Sequence, residues 1–320
     1  MRETVLISGA GSGIGLVSAL YLAQQGFEVF ATVPDLAQQA AVEAAAARWE
    51  VSLQVLYLDV TEPDSIQRAV ETVVQTRGAI YAVVHSAGLG LRGFFEDLAD
   101  AEIRRLFDVN VFGVMALTRA VLPHMRAARR GRIVVVGSVG GRVASMSLTG
   151  YCAGKFALEG FAESLWMEVR PFGLHVSVIE PGIVMTPHFT VHRGRAAAAT
   201  DPKSPYFGWF VRHEQLADNI LRAHRIMPSD VARTVHAALT VRHPRLRYPV
   251  GRGARIVILL RRILPHRWFE RLYFGQIVSL VTRSGKPPAE FSQLSLPGNA
   301  DTDYLGLPPP NRKGWKWRIS

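Results

Sequence analysis

A single cysteine, Cys152, stands among 320 residues, so no intrachain disulfide can form. That fits a reducing compartment, and the expected location is the cytoplasm. No stretch reads as the roughly 20 consecutive apolar residues that a membrane-spanning helix needs. The chain runs from Met1-Arg2-Glu3 straight into Val5-Leu6-Ile7 and then glycines, which reads as a buried strand rather than a secretory leader. The histidines show no metal-ligand spacing, so no metal is expected. There is no internal repeat, and the basic charge comes with no recognisable nucleic-acid-reading module. What remains is ordinary core material, 48% hydrophobic and 20% charged, with a mean hydropathy of +0.13. The formal charge of +11 is unevenly placed. From Gly251 to Ser320 there are twelve Lys and Arg against four Asp and Glu, so +8 lies there. The basicity belongs mainly to the C-terminal extension and says little about chemistry upstream.

Short runs rich in Val and Ile alternate with longer amphipathic ones. Val5–Ser8, Glu28–Val33, Leu53–Leu58, Ile80–His85, Arg132–Val136 and His175–Ile179 have strand length. Ile14–Gln25, Leu36–Arg48, Pro63–Thr76, Ala101–Arg129 and Tyr151–Arg170 read as helices. This alternation predicts an α/β fold: a doubly wound parallel sheet of the Rossmann type with helices on both faces. Pro187–Ala217 reads as a long loop with short helices, Pro228–Val241 as a helix, and Arg247–Val250 as a further strand. The expected division is a dinucleotide-binding catalytic domain, 1–250, with a substrate loop at 187–227, and a basic extension, 251–320, that packs on it. Gly251–Arg283 holds two apolar helical candidates; 285–320 is rich in Pro, Gly and Asn without periodicity.

Ser8-Gly9-Ala10-Gly11-Ser12-Gly13-Ile14-Gly15 lies between the first strand and the first helix. Glycines there permit a tight turn and close backbone approach to a pyrophosphate, which then faces the free N–H groups of the helix. A bare structural turn is the alternative; the strand before and the helix after favour dinucleotide binding. The ribose is usually read at the end of the second strand. There Ala31-Thr32-Val33-Pro34-Asp35 offers no Lys or Arg for a 2′-phosphate, while Asp35 is an acid in about the right place. Capping the next helix is its competing role.

Tyr151-Cys152-Ala153-Gly154-Lys155 sets a phenol and an ammonium four residues apart on one helical face. A free tyrosine titrates near 10 and is a poor base; the nearby cation is expected to lower that value. Ser138 closes the strand Ile133–Gly137, where open α/β sheets place their ligands, though a hydroxyl there can also serve as a strand-end cap. Asn110 interrupts a long helix of good formers, where an amide more often faces solvent or bends the helix.

With these motifs the chain resembles the short-chain dehydrogenase/reductase family, in a pattern similar to its hydroxysteroid and retinol dehydrogenase members. The resemblance covers roughly Val5 to Thr186: the loop Ser8, Gly9, Ser12, Gly13, Ile14 and Gly15; Asp59-Val60; Ser86-Ala87-Gly88; Asn110, Ser138, Tyr151 and Lys155 in order; and Pro181-Gly182-Ile183 with Thr186. It implies an NAD(P)-dependent oxidoreductase that interconverts hydroxyl and keto groups on a bulky apolar molecule. Tyr151 would exchange the proton, Ser138 would hold the substrate oxygen, Lys155 would bind the nicotinamide ribose and depress the tyrosine, and Asn110 would hold a water. The other residues named, with Asp35, would line the coenzyme. NAD(H) is favoured over NADP(H), and a homodimer or homotetramer is expected. Two departures stand out: Ser8 replaces a threonine, and His85-Ser86-Ala87-Gly88 lacks the usual two asparagines, so other hydrogen bonds must serve there. The reading from a different class is a silent cofactor-binding scaffold; an intact tetrad argues against it.

Substrate identity is expected to come from 187–227 and the extension. Phe189, Tyr206, Phe207, Trp209 and Phe210 are candidates to line an apolar pocket, with loop packing as the alternative. In the extension, Ile256–Leu260 lies among Arg255, Arg261 and Arg262, and Trp268, Phe269, Leu272, Tyr273 and Phe274 follow. Such a mixture can lie at a membrane surface. The preferred reading is a pair of helices covering the substrate entrance or a subunit interface.

Overall fold

The computed structural model describes residues 2–187, 193–223 and 226–283. Among these, seven strands form one parallel sheet: β1 (Thr4–Ser8), β2 (Glu28–Val33), β3 (Gln54–Tyr57), β4 (Ala82–His85), β5 (Gly131–Val136), β6 (Leu174–Pro181) and β7 (Arg247–Val250). Their spatial order is β3-β2-β1-β4-β5-β6-β7. Between β1 and β4 the winding reverses, and a crevice opens outside their carboxyl ends. The helices are α1 (Gly13–Gln24), α2 (Gln39–Arg48), α3 (Pro63–Arg77), α4 (Asp100–Phe107), α5 (Gly113–Ala127) and α6 (Thr149–Val169). After β6 come α7 (Phe207–Ala223), α8 (Pro228–Thr240), α9 (Arg252–Ile263), α10 (His266–Phe269) and α11 (Gly275–Thr282).

Strand periodicity divides the core in two. Val5, Ile7, Val29, Ala31, Ala82 and Val84 point to one face, which α1, α2 and α8 cover. Leu6, Phe30, Val83, Ile133 and Val176 point to the other, under α3, α5 and α6. Helix α3 shows the local logic: Pro63 starts it where an N–H would lack a partner anyway. Ile66, Ala69, Val70 and Val73 then bury one face.

Three expectations change. The helix predicted over Ala101–Arg129 is interrupted by a π turn at Asp108–Phe112. Asn110 lies in that turn, 1% exposed, so its amide does not face solvent. One extra residue per turn rotates it inward. The combined helical run 100–127 is also long and apolar enough to cross a membrane, contrary to the sequence reading. Here Val114, Leu117, Val121 and Met125 lie buried under the sheet. Finally, α7 begins at Phe207, inside the segment read as loop. Its inward stripe is Phe210, His213, Glu214, Asp218 and Leu221, and a count of apolar residues alone misses it. Phe189 and 284–320 lie outside the described residues.

Candidate active site

The crevice is built from four strand ends. At β1 the Ser8 hydroxyl accepts from the backbone N–H of Ser86 and Ala87, both at 3.3 Å, tying β1 to β4 across the switch point. The hydroxyl preserved at Ser8 therefore takes over structural bonds at a segment without asparagines. His85 makes the other: its Nε2 lies 2.9 Å from the Thr118 hydroxyl, and burial brings the imidazole down to about 3, so it stays neutral. Gly9 adopts φ +70°, and a Cβ there would stand 2.5 Å from the Ala87 Cα. A Cβ on Gly15 would lie 2.1 Å from the Gly9 carbonyl oxygen. At these two positions the loop folds back on backbone with no room for a Cβ, as a backbone phosphate cradle requires.

Ser12 precedes α1 without capping it by its side chain, which leaves the first-turn N–H groups facing the crevice. Gly13 faces Thr186 from across the crevice; a Cβ on it would lie 3.5 Å from Thr186 Cγ2. Of the other predicted positions, Ile14 packs on the core. A Cβ on Gly88 would lie 3.4 Å from Asn110 Oδ1, and one on Gly182 would lie 3.0 Å from Ile226 Cδ1, while Pro181 and Ile183 flank Gly182 at the end of β6. Val60 packs against Gly113, and Asp59 Oδ1 accepts from the Thr61 backbone and hydroxyl at 2.8 and 2.7 Å. These residues fit a dinucleotide. Asp35 takes its capping role: Oδ1 accepts from Ala37 N at 2.9 Å while the residue stays exposed.

Beyond β5, Ser138 and Tyr151 converge over Gly140. A Cβ on Gly140 would lie 3.4 Å from both Ser138 Oγ and Tyr151 Cε1. Ser138 Oγ accepts from Gly140 N at 3.0 Å and lies near enough to the Tyr151 phenol to favour its ionised form. Ser138 thus takes the strand-end capping role while it faces the same glycine as the tyrosine ring. Asn110 Oδ1 accepts from Leu89 N at 2.7 Å and its Nδ2 donates to Leu89 O at 2.8 Å. Both ends of the amide hold the loop after β4.

One expectation about the tyrosine changes. Burial pushes the Tyr151 phenol up, and only the Ser138 hydroxyl and the Arg92 charge act against it. Lys155 does not appear among those influences. Its Nζ donates to the Val136 carbonyl at 2.9 Å and stands 5.7 Å from the tyrosine ring centre. Burial brings that ammonium down to about 8, with Glu159 opposing. One turn below Lys155, Glu159 meets Glu180 at the end of β6. Arg247 and Arg142 bind the two carboxylates at 2.9 and 2.7 Å. Burial, then the Glu180 charge, raise Glu159.

The sequence reading missed a buried ionic cluster at the substrate side. Arg92 binds Glu214 at 2.5 Å, Arg195 binds the same carboxylate at 2.9 Å, and Arg193 reaches Glu214 and Asp218. Burial alone would raise Glu214, but Arg92, Arg193 and Arg195 outweigh it and bring it down to about 2. Beside it His213 shares a 2.7 Å hydrogen bond with Ser147, and burial, then Arg92, bring it down to about 4. The only sequence signal was an arginine, Arg92, in an apolar and glycine-rich stretch after a strand. Of the aromatic candidates, Phe210 is fully buried, while Tyr206 stacks on Phe94 at 4.8 Å with Trp209 beside them. Tyr206 lines a cavity of about 570 Å³ with Phe94, Phe95, Met146, Glu96, Ser147 and Thr149.

Residues 3–195 match the short chain dehydrogenase family model. The chain is 38% identical over 254 residues to human 17-beta-hydroxysteroid dehydrogenase type 1, across 77% of each chain. It is 41% identical over 188 residues to human retinol dehydrogenase 8, across 58% of this chain and 60% of that one. A solved short-chain dehydrogenase from Streptomyces avermitilis superposes with a TM-score of 0.72 at 28% identity, over 88% of this chain and 98% of that one. The sheet order, the glycine cradle and these matches agree, and the chain belongs to the short-chain dehydrogenase family as an NAD(P)-dependent oxidoreductase of the CH–OH/C=O couple.

Proposed function

We propose that Tyr151 exchanges the proton with the substrate oxygen, that Ser138 holds and polarises that oxygen, and that Lys155 holds the nicotinamide ribose. The observation that carries this reading is the convergence of the Ser138 and Tyr151 hydroxyls beside the glycine cradle. A bound nicotinamide supplies the hydride acceptor or donor. The chain's own residues then position the reacting carbon and manage one proton. Asn110 acts as a positioning residue through Leu89, and Glu159 with Glu180 supports the helix that carries Lys155.

The substrate is a bulky apolar alcohol or ketone. The cavity supports this: four of its seven lining side chains are Phe94, Phe95, Met146 and Tyr206, and its volume lies in the range of drug-sized ligand sites. A screen of secondary alcohols and their ketones with both coenzymes tests it. Steroid- or retinoid-sized alcohols are expected to exceed propan-2-ol in kcat/KM by at least about 100-fold, since at about 0.8 kcal/mol per buried methylene three to four methylenes suffice for that factor. Equal values for small and bulky substrates would sink the reading.

NAD(H) is the preferred coenzyme. No Lys or Arg stands at Ser12, Val33 or Pro34, and the exposed Asp35 carboxylate at the end of β2 opposes a 2′-phosphate. In a fluorescence titration NAD(H) should bind about tenfold more tightly than NADP(H), roughly the 1.4 kcal/mol of one lost charge contact. Tighter NADP(H) binding would show a basic residue elsewhere in that role.

We also infer a homodimer in the cytoplasm, with α6 at its centre. Phe156, Gly160 and Met167 lie on one exposed stripe of that helix, and Phe112 is exposed at the head of α5. A Cβ on Gly160 meets nothing within 4 Å in the single chain. Gly160→Arg should therefore leave the melting temperature of the subunit fold intact yet shift sedimentation to the monomer mass. An unshifted oligomer would place the interface elsewhere.

A further inference from the structure

Helix α9 presents its apolar side outward. Ile256, Leu259, Leu260 and Ile263 follow the i, i+3, i+4, i+7 spacing of one helical face and are all exposed, Ile256 at 55% and Ile263 at 62%. The inward side is made by Ala254, 5% exposed, and by Arg261, whose guanidinium stands 5.7 Å over the Phe269 ring. Phe269 stacks on Tyr273 at 5.1 Å, and Val281 is buried where Arg212 of α7 donates to its carbonyl at 3.3 Å. The last helix of the described extension therefore packs against α7. The first turns a stripe of four large aliphatic side chains to the outside.

Arginines border that stripe. Arg252 lies one turn before Ile256, and Arg255 and Arg262 stand about 100° to 120° round the helix by its 3.6-residue geometry. Arg255 also donates to the Pro249 carbonyl at 3.3 Å. No acidic residue occurs in α9, and from Gly251 to Arg283 the only one is Glu270, against seven arginines. Trp268, 60% exposed, and Leu272 follow on the next helix, again beside Arg267 and Arg271.

We propose that the α9 face docks on the surface of an anionic lipid bilayer. Charge selects this occupant. A second copy joined through the same face by a twofold axis would set arginine against arginine. The chain's own residues 284–320 carry five Lys and Arg against three Asp and Glu, so they too are basic. Anionic headgroups instead meet the guanidinium groups, whose stems lie along the aliphatic stripe while the charges stay in the headgroup layer. Trp268 suits the same interfacial layer. The stripe spans only about 11 Å along the helix, at 1.5 Å per residue, so it lies on the bilayer rather than crossing it. This proposal does not rest on the substrate class.

Flotation of the full chain with vesicles tests it, with melting curves as the control for folding. The wild type is expected to float with phosphatidylcholine vesicles that contain phosphatidylserine and to stay behind with phosphatidylcholine alone. Arg252→Ala/Arg262→Ala should weaken association on the order of 30-fold, given about 1 kcal/mol per basic side chain near such a surface. Leu259→Asp/Ile263→Asp should abolish it with the melting temperature unchanged. Either of two results overturns the proposal: a wild type that stays behind at low salt, or both variants floating like the wild type. A concentration-dependent oligomer lost specifically in Leu259→Asp/Ile263→Asp would also overturn it, by making a second copy the occupant. If the aspartate variant fails to fold, the arginine pair alone decides, since both side chains are on the surface.

Discussion

Tyr151→Phe should lower kcat by about 10³-fold, within the 10² to 10⁴ range of general acid–base catalysis, while the coenzyme dissociation constant changes little. The substitution removes one oxygen and leaves the ring, the helix and the Lys155–Val136 bond in place. Stopped-flow absorbance of the nicotinamide measures the first quantity, and fluorescence titration the second. A mutant with near wild-type turnover would show that the proton takes another route. The environment adds a direction. Burial holds the phenol neutral at pH 7, with its pKa above the usual tyrosine value. The group therefore rests as a proton donor, suited to reducing a ketone. Oxidation of an alcohol requires the phenolate and should accelerate as pH rises, whereas reduction should be flat through neutral pH. Ser138→Ala removes the hydroxyl that opposes the upward shift, so it should push the oxidation profile to still higher pH.

Glu214→Ala should lower the unfolding free energy by about 3–5 kcal/mol, the cost of leaving buried charges uncompensated. Arg92 and Arg193 have side chains only 7% and 3% exposed, and both bind this carboxylate together with Arg195. For a domain of this size the melting temperature should fall on the order of 10 °C. The cost lies in the stranded charge rather than in the lost bond itself. Adding Arg92→Leu to Glu214→Ala should therefore recover part of the loss, a non-additivity that a double-mutant cycle reads directly. If the double variant is less stable than the single one by the full cost of Arg92→Leu alone, the charge argument fails. The pH dependence has a definite sign. The folded pKa, about 2, lies below the ordinary carboxylate value of 4.5. The stabilisation is thus fully present above pH 4.5 and is lost as pH falls through about 2. His213 works in the same direction at higher pH. Its folded pKa of about 4 lies below the ordinary 6.5, so the unfolded chain binds the proton first and stability declines as pH drops from 6.5 toward 4.

The sequence by itself determined the sheet and the cradle. Apolar runs such as Val5–Ile7 and Val83–Val84 suit burial on both faces of a parallel sheet, and Gly9 and Gly15 permit a turn in which a Cβ at either position would meet backbone. Both depend on local chemistry: period, β-branching, and the absence of Cβ. Ser138, Tyr151 and Lys155 were legible as well, because a strand end and one helical turn fix where each side chain points. Tertiary structure alone decided what depends on neighbours far along the chain. Asp35 was ambiguous until its carboxylate met Ala37, and Asn110 until the π turn brought it to Leu89. The Tyr151 phenol was expected to be lowered by Lys155, but enclosure by the fold raises it, since desolvation depends on everything packed around a group rather than on its helical neighbours. The glycines, prolines and alanines of 187–217 read as a long loop with short helices, and the full length of α7 emerges only in the fold, where Glu214 and Asp218 become core residues as Arg92 and Arg193 reach them from other elements. The outward turn of Ile256, Leu259, Leu260 and Ile263 belongs to the same class: spacing defines the stripe, but only the packing of Ala254 and Arg261 inward decides that it faces away from the core.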